Sequence, residues 1–212
     1  MNSKVFEKRP FFEMIVIVLL MLISAFFFPQ LKGLFAVIPI IYFLVERKIR
    51  KRTSEDVGFN LKKLASDFQK VWLLILICIA LQVFYFIFSK NLVPEVYTHV
   101  LERNSFIKTL DVQLIFSLLI LAFGEEITFR GLVQKRLEWV MNPIYAILLT
   151  SFFFSLMHIS SGNSLVVTID LTMIFIDSVL FGIIFYKTNN IYMSWVAHAI
   201  GNIISALLLT TL

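Results

Sequence analysis

The stretch Leu114-Ile-Phe-Ser-Leu-Leu-Ile-Leu-Ala-Phe-Gly-Glu-Glu-Ile-Thr-Phe-Arg130 decides the fold. An apolar run long enough to lie within a bilayer carries Glu125, Glu126 and Arg130 at its far end. Ionisable groups at membrane depth are costly and mark a functional site by default. If the segment is helical, Glu126 and Arg130 are i,i+4 neighbours and can pair, while Glu125 points about 100° away. One carboxylate is thereby committed to structure and the other is left to face a cavity.

The composition around this stretch agrees with a membrane protein. Of 212 residues, 59% are hydrophobic and 23 are Phe, and the formal charge is +5. A soluble domain is closer to half apolar. The single cysteine, Cys78, forbids an intrachain disulfide. The positive charge flanks apolar spans, which points to orientation in a bilayer rather than to nucleic acid. The apolar stretch Met14–Phe28 follows Lys4, Lys8 and Arg9 and resembles a signal peptide. It lacks a small-x-small cleavage site and reads as a retained first span.

The expected fold is all-α, a polytopic transmembrane helical bundle of about seven spans. They fall near 12–28, 33–46, 71–89, 111–130, 143–160, 165–186 and 191–211. Residues 1–110 supply N-terminal spans with a basic linker at 47–70, and 111–212 a catalytic helical core, within one membrane domain. The linker is expected to end in an amphipathic interfacial helix around Leu61–Phe68. With the N-terminus cytoplasmic, 15 of the 19 Lys and Arg fall on the cytoplasmic side, and Lys32, Lys90, Arg103 and Lys108 on the other. Lys/Arg asymmetry of this kind sets orientation. An eighth span near 92–108 is too polar to favour.

Two further motifs carry polar groups. Phe154 and His158 share a helical face at i,i+4, as do His198 and Asn202, which can both donate hydrogen bonds. At 1.5 Å per residue, Glu125 and His158 lie about 22 Å from the cytoplasmic ends of their helices, and His198 and Asn202 about 12 and 18 Å from theirs. Antiparallel packing thus brings all four near one level, with Arg130, Lys135 and Arg136 lining a wet cytoplasmic vestibule. Asp170 and Asp177 share a face of the sixth span. They are expected to meet hydroxyls or backbone of neighbouring helices, the competing reading being a cation-coupled transporter. Glu13 and Glu46 are expected at the interface.

No Gly-x-Ser-x-Gly turn and no His-Glu-x-x-His zinc signature is present. A Glu base beside a His, facing a His/Asn donor pair, suggests water-mediated attack on a carbonyl. Glu125, assisted by His158, deprotonates water, and His198 and Asn202 hold the oxyanion. The same groups could ligate a metal such as zinc, but Asn is a poor zinc ligand, which favours a reaction without cofactor.

The patterns Glu-Glu-x-x-x-Arg at 125–130, Phe-x-x-x-His at 154–158 and His-x-x-x-Asn at 198–202 resemble the three motifs of the CAAX protease and bacteriocin-processing family, also labelled Abi. Type II CAAX prenyl endopeptidases belong to that family. The resemblance covers about 112–205 and implies Glu125 as the catalytic glutamate, His158 as its water-activating partner, His198 and Asn202 as the oxyanion pair, and Glu126 and Arg130 as supporting residues. It implies a glutamate-dependent intramembrane protease, of a kind first described as metalloproteases, with a conical cavity open to the cytosol. Expected partners are the lipid bilayer and a membrane-embedded or lipidated peptide or protein. The compact Phe- and Lys-rich chain suggests a bacterial plasma membrane. The alternative is a bacteriocin self-immunity protein that acts by binding its partner, with catalysis dispensable.

Overall fold

The computed structural model describes residues 7–211; Lys4, counted above for orientation, lies outside the described residues. Among the described residues there is no strand, and eight helices account for most of the chain. They are α1 (Lys8–Phe27), α2 (Lys32–Ile49), α3 (Leu64–Leu92), α4 (Pro94–Arg103), α5 (Val112–Leu137), α6 (Pro143–Leu156), α7 (Ser164–Thr188) and α8 (Ile191–Thr211). Six of them, all but α4 and α6, are long and apolar enough to cross a membrane. All seven expected spans are helices, but α6, at 14 residues, reaches only about 21 Å. A hydrocarbon core of about 30 Å exceeds that.

Local chemistry fixes the helix ends. The side chains of Asp111, Asn142 and Asn163 accept from backbone N–H groups of Leu114, Ile144 and Leu165 at 2.8, 2.9 and 2.9 Å, capping α5, α6 and α7. Pro94 and Pro143 open their helices, where a missing N–H costs nothing. At the C-terminus of α7, Asn189 adopts the left-handed conformation (φ 48°) in which such helices commonly stop.

Several expectations are corrected. No separate interfacial helix occupies Leu61–Phe68: a single 3-10 turn (Leu61–Lys63) leads straight into α3, which begins at Leu64 and continues the span. The buried Asp67 explains this, because it accepts from Asn190 Nδ2 at 3.1 Å and tethers the first turn of α3 to the α7–α8 junction. Glu46 is not interfacial but 5% exposed. Its carboxylate lies 2.8 Å from Arg50 Nε, 3.2 Å from Arg52 Nη2 and 3.1 Å from Arg136 Nη2. Arg130 is fully buried and lines no vestibule; Arg136 is buried too and donates to Pro10 O at 2.9 Å, though with Lys135 it borders a separate pocket at this end of the bundle. Glu13 sits in the same belt, paired with Arg9 and Arg50 and accepting from Tyr42 Oη at 2.6 Å.

Segment 50–63 folds back on this end of the bundle. Ile191 N donates to Gly58 O at 2.8 Å and Asn190 Nδ2 to Asn60 O at 2.8 Å. Within it, the Thr53 hydroxyl and backbone N–H hold the Asp56 carboxyl below its usual range.

The core of the first half is Met14, Met21, Phe43, Phe129, Leu132 and their neighbours, where α1 and α2 meet the second half of α5. Contact there is close at Gly131. A Cβ at that position would stand 2.9 Å from Phe43 Cζ and 3.0 Å from Ile191 Cδ1. Gly131→Val is therefore expected to destabilise by about 1–3 kcal/mol through overpacking. Thermal unfolding in detergent checks this, and an unchanged midpoint would show that Phe43 and Ile191 move aside freely.

Candidate functional site

The middle of α5 departs from regular helix directly after the glutamates. Val112–Glu126 is α-helical, Ile127–Gln134 is π-helical, and an α turn follows. Such i→i+5 segments are rare and often sit at functional sites. The wider turn rotates everything past Ile127 around the axis relative to an unbroken α-helix, yet the expected pair survives. Arg130 Nε stands 3.3 Å from Glu126 Oε2, with both side chains at 0% exposure. Arg130 Nη2 donates to Ser178 O at 2.7 Å and to Ser178 Oγ at 2.9 Å on α7. Its guanidinium lies between two rings, 5.3 Å from that of Phe154 and 5.7 Å from that of Phe181.

The buried pair orients a histidine. His198 Nδ1 on α8 is 2.9 Å from Glu126 Oε1. A carboxylate can only accept, so Nδ1 carries a proton, and Nε2 is the nitrogen that faces the cavity, a second donor there when the ring is an imidazolium. Nε2 lies 3.6 Å from Glu125 Oε2. Phe181 stacks on the imidazole at 4.7 Å, and Phe154 meets it edge-on at 5.7 Å. The ring is thus fixed on both faces and at one nitrogen.

His158 is placed differently from expectation. Helix α6 ends at Leu156, so His158 sits in the following turn rather than on a shared helical face with Phe154. It nevertheless remains beside that ring, at 4.7 Å, and Nδ1–H donates to Phe154 O at 2.9 Å. The acceptor is a carbonyl, which again leaves Nε2 free. Irregular backbone at membrane depth is tolerated where it is buried in protein or lines a cavity, and this turn does both. Among the described residues no nitrogen of His158 lies within ion-pair distance of Glu125; the imidazole that does is that of His198.

Glu125, His158, His198 and Asn202 all line one cavity of about 320 Å³. Glu125, with 36% of its side chain exposed, faces it, whereas Glu126 and Arg130 lie behind the wall. Asp170 and Asp177 reach the same cavity from α7. Asp170 meets a hydroxyl of a neighbouring helix, as expected, but also an arginine, and Asp177 meets an amide rather than a hydroxyl or backbone. Asp170 lies 2.9 Å from Arg103 Nε and accepts from Tyr85 Oη at 3.1 Å. Asp177 accepts from Gln82 Nε2 at 2.6 Å, while Gln82 Oε1 accepts from Ser205 Oγ at 2.7 Å.

Sequence reasoning missed α4. It is too short to be a span, yet it packs on α3 and α7 and covers the turn that carries His158, with His99 Nε2 3.1 Å from Ser160 Oγ. Its amphipathic order, with Val96 and His99 buried and Glu95 and Glu102 exposed, was the available signal. Ser178, Phe181 and Gln82 were missed because single residues in apolar spans carry no pattern.

Residues 108–204 match the model of the Type II CAAX prenyl endopeptidase Rce1-like family. The match spans the three motifs and the helices that carry them, and it is the family that the motifs resemble. It supports an intramembrane endopeptidase of the CAAX protease type, and the six apolar helices make the chain a multi-pass membrane protein. No curated protein and no solved structure matches the chain.

Proposed function

We propose that this chain hydrolyses a peptide bond in a membrane-associated peptide or protein, with Glu125 as general base on water. The supporting observation is the convergence of Glu125, His158, His198 and Asn202 on one cavity, backed by a Glu126–Arg130 pair that has no access to it. Glu125 and His158 face the cavity without touching, which suits a water held between them; one bridging water is within the reach of a general base. Glu125 takes a proton from that water as the oxygen attacks the scissile carbonyl. The negative charge passes to the carbonyl oxygen, where Asn202 Nδ2–H and the protonated Nε2 of His198 donate to it. Collapse expels the amine, which receives the proton held by Glu125.

Glu126 acts through His198 in this scheme. It fixes a proton on Nδ1 and aims Nε2 into the cavity, and Arg130 pairs with Glu126 from behind. Among the described residues no three His, Cys, Asp or Glu side chains are grouped as metal ligands. A chelator arm in the assay decides that question in solution.

The experiment is cleavage of a quenched-fluorescence peptide library, lipidated and plain, by the reconstituted chain with and without chelator. Asn202→Ala is expected to lower kcat by about 10²- to 10³-fold, the usual cost of one oxyanion donor, with little change in KM. An unaltered kcat would remove Asn202 from the scheme. Failure of a well-folded wild type on every peptide would favour immunity by binding.

A further inference from the structure

Of the four carboxylates in and behind the catalytic cavity, three have a cation to match them. Glu126 pairs with Arg130 and Asp170 with Arg103, and Glu125 has Lys32 of α2 within electrostatic reach. Asp177 has no such match. Among the described residues no Lys or Arg stands within ion-pair distance of it, and the titratable group in reach is the His198 imidazole, already held at Nδ1 by Glu126. Asp177 Oδ2 accepts from Gln82 Nε2 at 2.6 Å, while Oδ1 is buried and meets no donor among the described residues. An acid inside a transmembrane bundle is costly and is ordinarily paired.

The carboxylate is nevertheless fixed in place. Its donor belongs to Gln82 of α3, and the other end of that amide accepts from Ser205 Oγ of α8 at 2.7 Å, so three helices set its direction. The same glutamine lies over Gly201, next to Asn202: a Cβ at Gly201 would stand 3.7 Å from Gln82 Nε2. On α7, Asp177 comes one turn before Phe181, whose ring stacks on His198. The carboxylate therefore borders the cavity about 6 Å along α7 from the ring that fixes the oxyanion donor. Tyr85, Phe86 and Phe181 line the cavity with it. Aromatic walls suit the alkyl stem of a lysine or arginine and attract its charged head.

We infer that Asp177 receives a basic side chain of the substrate, lysine or arginine, and so selects the sequence that is cut. The inference rests on the endopeptidase reading above and gives its substrate a chemistry. An extended peptide advances about 3.3–3.6 Å per residue, so a gap of about 6 Å places the basic residue within about two positions of the scissile bond. The incoming cation supplies the partner that Asp177 lacks, and the fixed carboxylate offsets the cost of taking that cation out of water.

The test compares wild type with Asp177→Asn, both reconstituted. Cut sites are located by mass spectrometry of products from a mixed peptide library, and single peptides are then made with Lys, Arg, Gln or Glu near the cut. Asparagine keeps the shape of the side chain and an acceptor for Gln82, so the fold should hold. Wild type should prefer Lys or Arg over Gln by about 10- to 100-fold in kcat/KM, the range expected of a charge-assisted contact. In Asp177→Asn that preference should vanish, with kcat/KM for the Gln peptide unchanged. Absence of a basic preference in wild type, or its survival in Asp177→Asn, overturns the inference. An equal loss on all peptides also overturns it, and would make Asp177 a counter-charge to His198 instead. Binding of a labelled Lys peptide, N-methylated at the scissile bond so that it is not cut, needs no activity. It should bind wild type about 10- to 100-fold more tightly than Asp177→Asn. If binding depends on Asp177 in this way while no peptide is cut, the subsite stands and the endopeptidase reading falls. Binding that does not depend on Asp177 overturns the inference.

Discussion

Glu125→Gln is expected to lower kcat/KM by about 10³- to 10⁴-fold, at the upper end of what a positioned general base contributes. The substitution preserves size and leaves the buried pair behind the wall untouched, since Glu126 and Arg130 contact each other, His198 and Ser178 rather than Glu125. The loss should fall on kcat, because an amide at this position can still bind substrate but cannot take the proton from water. Glu126→Gln should behave otherwise. A glutamine can still accept from His198 Nδ1–H, so activity should drop by less. Steady-state kinetics on the same quenched peptide, with both variants reconstituted at equal folded content, separate the two roles. A Glu125→Gln enzyme within tenfold of wild type would remove Glu125 as the base. The binding alternative makes the opposite forecast: protection against a bacteriocin would survive Glu125→Gln undiminished.

The apolar helices were legible because a bilayer imposes one demand on every span, a long run without charge. Their ends were legible for a similar reason, as Asn142-Pro143 and Ser161-Gly162-Asn163 carry cap and turn chemistry at the breaks. The Glu126–Arg130 pair followed from i,i+4 spacing and persists even though the helix turns π-helical at Ile127. Hydropathy is blind to that change, since the hydrogen-bond register leaves no trace in residue type. Nor could it show that α6 stops short: Leu156, Met157 and Ile159 are as apolar as the helix before them, and the segment that follows meets α4, through Ser160 and His99, only in the assembled bundle. The basic residues near 130–136 misled in an instructive way. Charge suggested water, but Arg136 and Arg130 spend theirs on buried carboxylates and carbonyls that lie far away in sequence. Glu46 and Pro10, on α2 and α1, meet Arg136 only after the bundle has assembled.

Arg130→Met is expected to cost about 3–5 kcal/mol, the usual penalty for stranding one member of a buried ion pair. Methionine approximates the length of the arginine stem and fits the slot between the Phe154 and Phe181 rings, so lost volume is not the main term. What remains is the Glu126 carboxylate at 0% exposure, with His198 Nδ1–H and the Ser194 hydroxyl as its remaining partners. Ser178 loses its donor as well, but a helix carbonyl keeps its own backbone bond and an unmet hydroxyl costs less than a charge. Thermal unfolding in detergent should therefore fall by roughly 6–20 °C for a chain of this size. Adding Glu126→Gln in the same molecule removes the stranded charge while keeping an acceptor for His198. The double variant should recover most of the loss, because replacing both partners of a buried pair is often close to neutral. Recovery would locate the penalty in the isolated carboxylate. A double variant as unstable as Arg130→Met alone would place it in the bonds from Arg130 to Ser178, making the α5–α7 contact, rather than the ion pair, what holds the wall of the cavity in place.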